Sequence, residues 1–166
     1  MKYLLDSNTF IEAKNRYYSM KVCPGYWQWI LMSHEKMGVA SIDFVRDELK
    51  AGNDELAEWA EVNKKLFLKI DDDATQEQYV KVANYVMTLN SLKPHAPSDF
   101  LRGADPWLVA KALVTGATIV THEKLDPHIK KKVLIPNVCE YFGVNYINTF
   151  DLLHQLDAEF IMPVSA

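Results

Sequence analysis

The chain opens on Tyr3-Leu4-Leu5-Asp6-Ser7-Asn8, a short apolar run that ends in an acidic residue and two small polar ones. Consecutive apolar residues bounded by polar ones are typical of a short strand. The serine and asparagine that follow favour a turn or the start of a helix. This stretch therefore predicts a strand over residues 3–5, with the carboxylate of Asp6 placed where the strand ends.

Similar apolar runs recur along the chain, and longer segments with helical periodicity separate them. The predicted strands are Tyr3–Leu5, Gly38–Ala40, Leu66–Ile70, Ala117–Val120 and Val144–Ile147. The predicted helices are about Thr9–Tyr18, Tyr26–Met37, Ile42–Ala51, Asp54–Lys65, Thr75–Leu92, Pro106–Thr115 and Thr149–Leu156. Residues 92–99, with two prolines, are the most loop-like stretch. Strands that alternate with helices predict an α/β fold with a mainly parallel sheet covered on both faces. The helices on either side of the third strand either cover this sheet or form a protruding hairpin.

The composition is that of an ordinary globular protein. The 166 residues carry 18 Lys and Arg against 22 Asp and Glu, a formal net charge of −4, and 49% of them are hydrophobic. This length predicts one domain over residues 1–166. The two cysteines are too few for a disulfide scaffold, and no apolar run reaches the ~18 residues of a membrane span. We therefore expect a cytoplasmic protein with no membrane segment and no signal peptide. The mildly acidic charge disfavours broad coating of nucleic acid but allows a metal-mediated nucleic-acid site.

Two acidic residues stand out near the first two strands. Asp6 follows the first strand directly, and sites in open α/β sheets lie beyond the carboxyl ends of the strands. The alternative for Asp6 is a turn or helix-cap residue. At about 100° per residue, Glu48 falls within the apolar arc of the helix predicted over Ile42–Ala51. A carboxylate on a buried face needs a cation or hydrogen bonds, so Glu48 is either a metal ligand, an edge residue that reaches solvent, or half of a buried ion pair.

Two further acidic residues lie in the second half of the chain. Asp105 precedes Pro106 at a predicted helix start, which suits a helix N-cap and also directs its carboxylate towards the mouth of a site. Thr121 and Glu123 follow the fourth predicted strand, where the alternative is a polar loop. Carboxylates brought together from four segments repel one another and attract a cation. All-oxygen clusters suit Mg²⁺ or Mn²⁺, which activate water and neutralise phosphate oxygens.

These residues resemble the PIN-domain nucleases, in particular the VapC-like toxin branch of type II toxin–antitoxin systems. The matching pieces are Leu5-Asp6-Ser7-Asn8, Glu48 in the helix after the second strand, Ala104–Ala110, Thr121 with an acid two residues later, and the closing segment Ile135–Val144. The resemblance covers nearly the whole chain. It implies a three-layer α/β/α fold around a central, mainly parallel sheet of about five strands. It also implies a metal-dependent endoribonuclease that acts on RNA, with a cognate antitoxin as partner and a homodimer as the assembly.

The resemblance assigns roles to individual residues. It implies that the catalytic, metal-binding acids are Asp6, Glu48, Asp105 and Glu123, with Mg²⁺ or Mn²⁺ as the cofactor. Asn8 and Thr121 are the implied supporting groups, which orient a carboxylate or water. Many family members carry Asp where this chain has Glu123, so Asp126 is an alternative fourth ligand and Asp99 a weaker one.

An RNA substrate also needs positive charge and surfaces for its bases. The predicted substrate-binding residues are Arg102 and Lys124, with Lys111 and the run Lys130–Lys132 as further candidates. The lysine run is otherwise a solvated surface. Trp107 and Phe100 either stack on bases or pack in the core.

Two other function classes stay open. An aspartate-based phosphohydrolase also begins with a strand that ends in Asp, but Asn8 stands where that class has its second Asp, which removes the proton shuttle. A non-catalytic PIN-like binding module would use the acids only as helix caps or partner contacts.

Overall fold

The computed structural model describes residues 1–90 and 92–161. The strands are β1 (Tyr3–Leu5), β2 (Val39–Ile42), β3 (Phe67–Leu68), β4 (Thr118–Val120) and β5 (Tyr146–Ile147). The α-helices are α1 (Ser7–Glu12), α2 (Pro24–Met37), α3 (Asp43–Lys50), α4 (Glu55–Val62), α5 (Asp73–Met87), α6 (Ala96–Arg102), α7 (Asp105–Thr115), α8 (Ile135–Phe142) and α9 (Thr149–Gln155). A π-helical turn, Ala13–Tyr17, continues α1, and a 3₁₀ turn, Lys64–Leu66, precedes β3.

All strands of the sheet are parallel, and their order is β3-β2-β1-β4-β5. The chain therefore builds the sheet outward from β1 in one direction and then returns to the other side of β1 for β4. Right-handed crossovers place the helices before β3 on one face and those between β3 and β5 on the other. The packing agrees, since α1 and α4 contact α3, whereas α5 and α8 contact α7. This is the three-layer α/β/α architecture that the sequence predicts.

Every predicted strand is present, and the helices that flank β3 do not protrude, because α4 packs on α3 and α5 packs on α7. The predicted loop over residues 92–99 is wrong in part, because α6 begins within it. Helix α8 was not predicted either. Both helices carry proline in their first turn, where its missing N–H has no intrahelical partner to lose. Proline therefore starts these helices, although it favours a loop in the sequence pattern.

Two other predictions differ in extent. The helix predicted over Thr9–Tyr18 is divided into α1 and the π-helical turn. The helix predicted over Thr75–Leu92 begins earlier and ends at Met87. The helix predicted over Thr75–Leu92 includes Ser91, which lies outside the described residues. The predicted domain 1–166 includes residues 162–166, which also lie outside them.

The pairing of β1 with its neighbours fixes the edge where the strands end. Leu5 pairs with Val120, and the N–H of Asp6 donates to the Val120 carbonyl oxygen at 3.0 Å. One strand further, the N–H of Thr121 donates to the Ile147 carbonyl oxygen at 2.9 Å. Asp6 and Thr121 are thus the first residues beyond two adjacent strands.

Both cysteines are free thiols. Across residues 1–90 and 92–161, no helix is both long enough and apolar enough to cross a bilayer.

The central strand should dominate the stability of this fold. Leu4 in β1 is fully buried, so Leu4→Ala is expected to lower the free energy of unfolding by about 2–5 kcal/mol through lost burial and a cavity. Urea denaturation followed by tryptophan fluorescence measures this loss. Val22→Ala is the matched control, because Val22 is 82% exposed and its truncation should change stability by less than about 0.5 kcal/mol. Equal effects of the two substitutions would contradict this account of the core.

Candidate metal and active site

Asp6 and Thr121 meet at the point where the strand order reverses, which is where open α/β sheets place their sites. The Thr121 hydroxyl donates to Asp6 Oδ2 at 3.0 Å and accepts the N–H of Glu123 at 3.1 Å. The Ser7 hydroxyl donates to the other Asp6 oxygen at 3.2 Å. Asp6 is only 1% exposed and is the N-cap residue of α1, although its side chain makes no capping hydrogen bond. The hydroxyl groups of Thr121 and Ser7 fix the carboxylate at the sheet edge.

Glu48 reaches the same region from α3. Its side chain is half-buried, and Oε1 accepts the backbone N–H of Ala104 at 2.8 Å. Ala104 directly precedes Asp105, so this hydrogen bond holds the end of Glu48 beside the start of α7. The apolar arc of α3 thus does carry Glu48 inward, and a backbone amide provides the hydrogen bond that an inward carboxylate needs.

The N-cap interpretation of Asp105 is wrong. Ala104 is the N-cap of α7, Asp105 is the first helical residue, and no side chain caps this end. Pro106 still lies in the first turn, as the sequence predicts. Because the helix begins one residue earlier than expected, Asp105 is its first residue instead of its N-cap, and the carboxylate is not occupied by capping.

The charges of the four acids converge on Asp105. Burial and then the carboxylates of Asp6, Glu123 and Glu48, in that order, raise the pKa of Asp105 from 3.8 to about 8, against the opposing effect of Lys132. Burial and the carboxylate of Glu123 raise the pKa of Asp6 to about 6, despite the hydrogen bonds that it accepts. Like charges at close range in a poorly solvated pocket explain both shifts.

Glu123 differs from the other three acids because a lysine and a backbone amide donate to its carboxylate. Lys132 donates to Oε1 at 2.7 Å, and the backbone N–H of Ile135, at the start of α8, donates to Oε2 at 2.8 Å. Both carboxylate oxygens therefore already have donors. Its position as an acid two residues beyond Thr121 agrees with the sequence pattern, but the lysine that neutralises it comes from the predicted substrate-binding run.

The four acids share a pocket without forming a ready-made cage. Among the described residues, no three Asp, Glu, His or Cys side chains are arranged as ligands of one metal ion. Glu48 and Glu123 are turned towards their own donors, whereas burial and then neighbouring carboxylates raise the pKa values of Asp6 and Asp105. The donor chemistry of the pocket, all oxygen and strongly negative, fits a hard divalent cation.

The remaining predicted acids lie apart from this pocket. Asp126 is exposed and accepts the N–H of His128 within its own loop at 2.8 Å. Asp99 is exposed and forms ion pairs with Arg102 and His95. Neither acid contributes to the raised pKa of Asp105. The exposed Asn8 side chain makes no hydrogen bond within the described part of the chain, so hydroxyl groups provide the observed support for Asp6.

Of the residues predicted to contact the substrate, some are exposed and others form ion pairs with acids of the same chain. Lys124 is exposed on the loop after Glu123. Arg102 is also exposed, but its charge is paired with Asp99. Lys111 is bound to Asp72 at 2.6 Å and joins α7 to α5, so it supports the fold.

Neither predicted stacking residue offers an open ring. Phe100 is buried, and Trp107 stacks on Tyr79 with ring centroids 3.8 Å apart. Both side chains therefore belong to the packing of the fold, which was the alternative in the sequence.

Three groups that shape the pocket were missed as site components. The Ala104 amide holds Glu48, but a backbone donor leaves no mark in the sequence. Lys132 was assigned to substrate, because its pairing with Glu123 depends on the path of an irregular loop. Ser7 could have been found, because it directly follows Asp6 in the sequence and its hydroxyl donates to the Asp6 carboxylate.

The family model described as "Domain of unknown function (DUF4411)" matches residues 3–160. This chain belongs to the DUF4411 family. A comparison of the DUF4411 chain with curated proteins gives no match.

The DUF4411 chain is similar in structure to a chain of "Crystal structure of VapBC2 from Rickettsia felis bound to a DNA fragment from their promoter". The TM-score is 0.50 at 15% identity, and the alignment covers 89% of this chain and 98% of that one. At this identity the likeness establishes the fold. The predicted PIN-like fold is therefore confirmed.

Metal-free protein should become less stable as the pH rises from about 4 to about 8. The pKa of Asp105 is raised from 3.8 to about 8 in the folded protein, so the folded state holds a proton that the unfolded chain releases. Asp105→Asn should remove much of this loss and raise the free energy of unfolding at pH 8 by on the order of 2 kcal/mol. Urea denaturation in EDTA at several pH values measures both effects.

Asp126→Asn is the matched control for that experiment, because Asp126 is an exposed acid outside the pocket. Its pH profile should follow that of the unmodified protein. Parallel profiles for Asp105→Asn and the unmodified protein would show that the Asp105 carboxyl is not strained by its neighbours.

Proposed function

We propose that this protein is a divalent-metal-dependent endoribonuclease, the toxin of a toxin–antitoxin pair, that hydrolyses RNA phosphodiester bonds. The observation that supports the proposal most directly is electrostatic. Burial and three acids, from α3 and from the ends of β1 and β4, raise the pKa of Asp105 at the start of α7, beside the topological switch point. Such an arrangement is costly unless a cation joins it.

Asp6, Glu48 and Asp105 are the groups that hold the ion, Mg²⁺ or Mn²⁺, with Glu123 completing the acidic set. When bound, the ion supplies charge neutralisation at the phosphate and activation of a water for in-line attack on phosphorus. Asp6 is positioned by Thr121 and Ser7, which fix both of its oxygens. Glu48 and Glu123 would each give up a hydrogen bond to the protein in order to hold the ion, because each now points to its own donor.

Thr121 is a positioning residue in this proposal. Its hydroxyl donates to Asp6 and accepts from the N–H of Glu123, so one side chain sets the relative placement of two acids. Groups of this kind, which orient a ligand without contacting the metal, commonly change affinity or activity by about 10–100-fold.

The partners follow from the same proposal. The structurally similar chain comes from a complex named VapBC2, bound to a DNA fragment from its promoter. By this analogy the present protein has a cognate antitoxin that blocks the acidic pocket, and it acts in the cytoplasm. The homodimer implied by the sequence resemblance stays a prediction.

A second candidate is a PIN-like binding module without catalysis. One observation favours it, namely that Glu48 and Glu123 already have hydrogen-bond donors while no three ligands are pre-arranged. The aspartate-based phosphohydrolase gains nothing from the structure, since the exposed Asn8 side chain cannot shuttle a proton.

Metal binding separates these two candidates. Mn²⁺ at a hundredfold excess over its dissociation constant should stabilise the unmodified protein by about 2.7 kcal/mol, which raises the melting temperature by several degrees. Asp6→Asn should lose this shift, whereas Asp126→Asn should keep it. Differential scanning fluorimetry gives the result. If the unmodified protein shows no shift, the binding module is favoured.

RNA cleavage tests the reaction itself. With labelled single-stranded RNA and Mn²⁺, Asp6→Asn should lower the initial cleavage rate by more than about a hundredfold, since it removes a direct ligand. Thr121→Val should lower the rate by about 10–100-fold, as expected for a positioning residue. Asp126→Asn should cleave normally. The proposal fails if Asp6→Asn cleaves at the unmodified rate.

A further inference from the structure

A cleft of about 510 Å³ opens beside the acidic pocket, at the carboxyl ends of β4 and β5. Its walls include Tyr17, His122, Lys124 and Phe150. Thr121 and Glu123 also line it, and both belong to the acidic pocket. The cleft therefore borders the four acids at Thr121 and Glu123.

Two aromatic rings form an exposed lip on this cleft. The ring centroids of Tyr17 and Phe150 lie 5.3 Å apart, edge to face at 81°. Tyr17 is 52% exposed and Phe150 is 39% exposed. Their contact leaves ring surface open to solvent, unlike that of Tyr26, which is buried among other aromatic rings. This open surface has no role in the packing of the core.

Tyr17 and Phe150 are positioned by a π-helical turn and by the start of a helix. Tyr17 ends the π-helical turn after α1, and short π-helical segments are rare and frequently occur at functional sites. Phe150 lies in the first turn of α9. The ring of His122 contacts Phe150 at 6.2 Å and is held by a hydrogen bond to the Thr149 hydroxyl at 3.1 Å. The lip is thus built on ordered groups directly beyond β4 and β5.

The charges around the cleft are compatible with an RNA strand. Lys124 is exposed and can contact a phosphate. The carboxylate of Asp151 accepts from the Asn148 amide at 2.7 Å, and that of Glu123 is paired with Lys132. Both carboxylates on this side therefore have donors of their own.

We propose that Tyr17 and Phe150 form a nucleobase-binding subsite for single-stranded RNA, adjacent to the acidic pocket. This inference rests on the proposed function and adds where a base of the substrate lies. A base stacks on the open ring surface, and its backbone runs past Lys124 towards Asp6 and Asp105. Stacking on aromatic rings tolerates any base, so the subsite contributes affinity and register without strict sequence preference.

The test uses binding and not cleavage. The unmodified full chain is mixed in Mg²⁺ with a short single-stranded RNA that has uncleavable internucleotide linkages and carries one fluorescent 2-aminopurine. Stacking of that base on a ring should quench its fluorescence. Tyr17→Ala and Phe150→Ala should each weaken binding by about tenfold or more and reduce the quenching. Tyr17→Phe should keep both, because it retains the ring, whereas Phe150→Leu should lose the quenching while preserving apolar packing.

Tyr141→Ala is the matched control, because Tyr141 is 63% exposed and stacks on Tyr85 of α5, away from the cleft. It should bind and quench like the parent. If the parent binds RNA and the alanine variants bind and quench equally well, the subsite is wrong while the proposed ribonuclease stands. If the parent binds no RNA, both fail, and a protein partner is the better occupant of the cleft.

Discussion

The structure depends on one constraint, namely that β1 and β4 are adjacent and parallel and end at the same edge. Asp6 and Thr121 are the first residues past those ends, so their side chains meet wherever the sheet forms. Helix α7 then begins nearby with an acid that caps nothing, and α3 brings a fourth carboxylate alongside. The negative charges are therefore concentrated at this edge of the sheet, where the pairing of β1 with β4 fixes their positions.

The protein limits this repulsion with short hydrogen-bonded connections. One runs from Asp6 through the Thr121 hydroxyl to the N–H of Glu123. The other runs from Glu48 to the N–H of Ala104, next to Asp105. Over residues 1–90 and 92–161, Lys132 is the lysine that forms an ion pair with one of the four acids, and its partner is Glu123. The pKa values of Asp6 and Asp105 stay raised because their burial and their neighbours are not compensated. The divalent cation of the proposed function would compensate this charge.

Glu123 shows how one side chain can serve fold and site together. It accepts from the first amide of α8 and from Lys132, and so connects the loop after β4 to the helix that leads to β5. The same loop carries Lys124 and borders the aromatic cleft. Events at the acidic pocket and at the cleft are therefore linked through a few residues of one loop.

The sequence by itself determined the strands and most of the helices along the chain, the parallel sheet, and the four acids with Thr121, because apolar periodicity and strand ends are local properties. Tertiary structure alone decided what those acids do. Whether Asp105 caps α7, which donor holds Glu48, and which acid Lys132 neutralises depend on contacts between distant segments. The same holds for Lys111, which the sequence offers to substrate and the fold commits to Asp72. The exposed rings of Tyr17 and Phe150 are a further case, because the exposure of a side chain depends on how helices and strands pack. The π-helical turn that carries Tyr17 is also not predicted by the periodicity of the sequence.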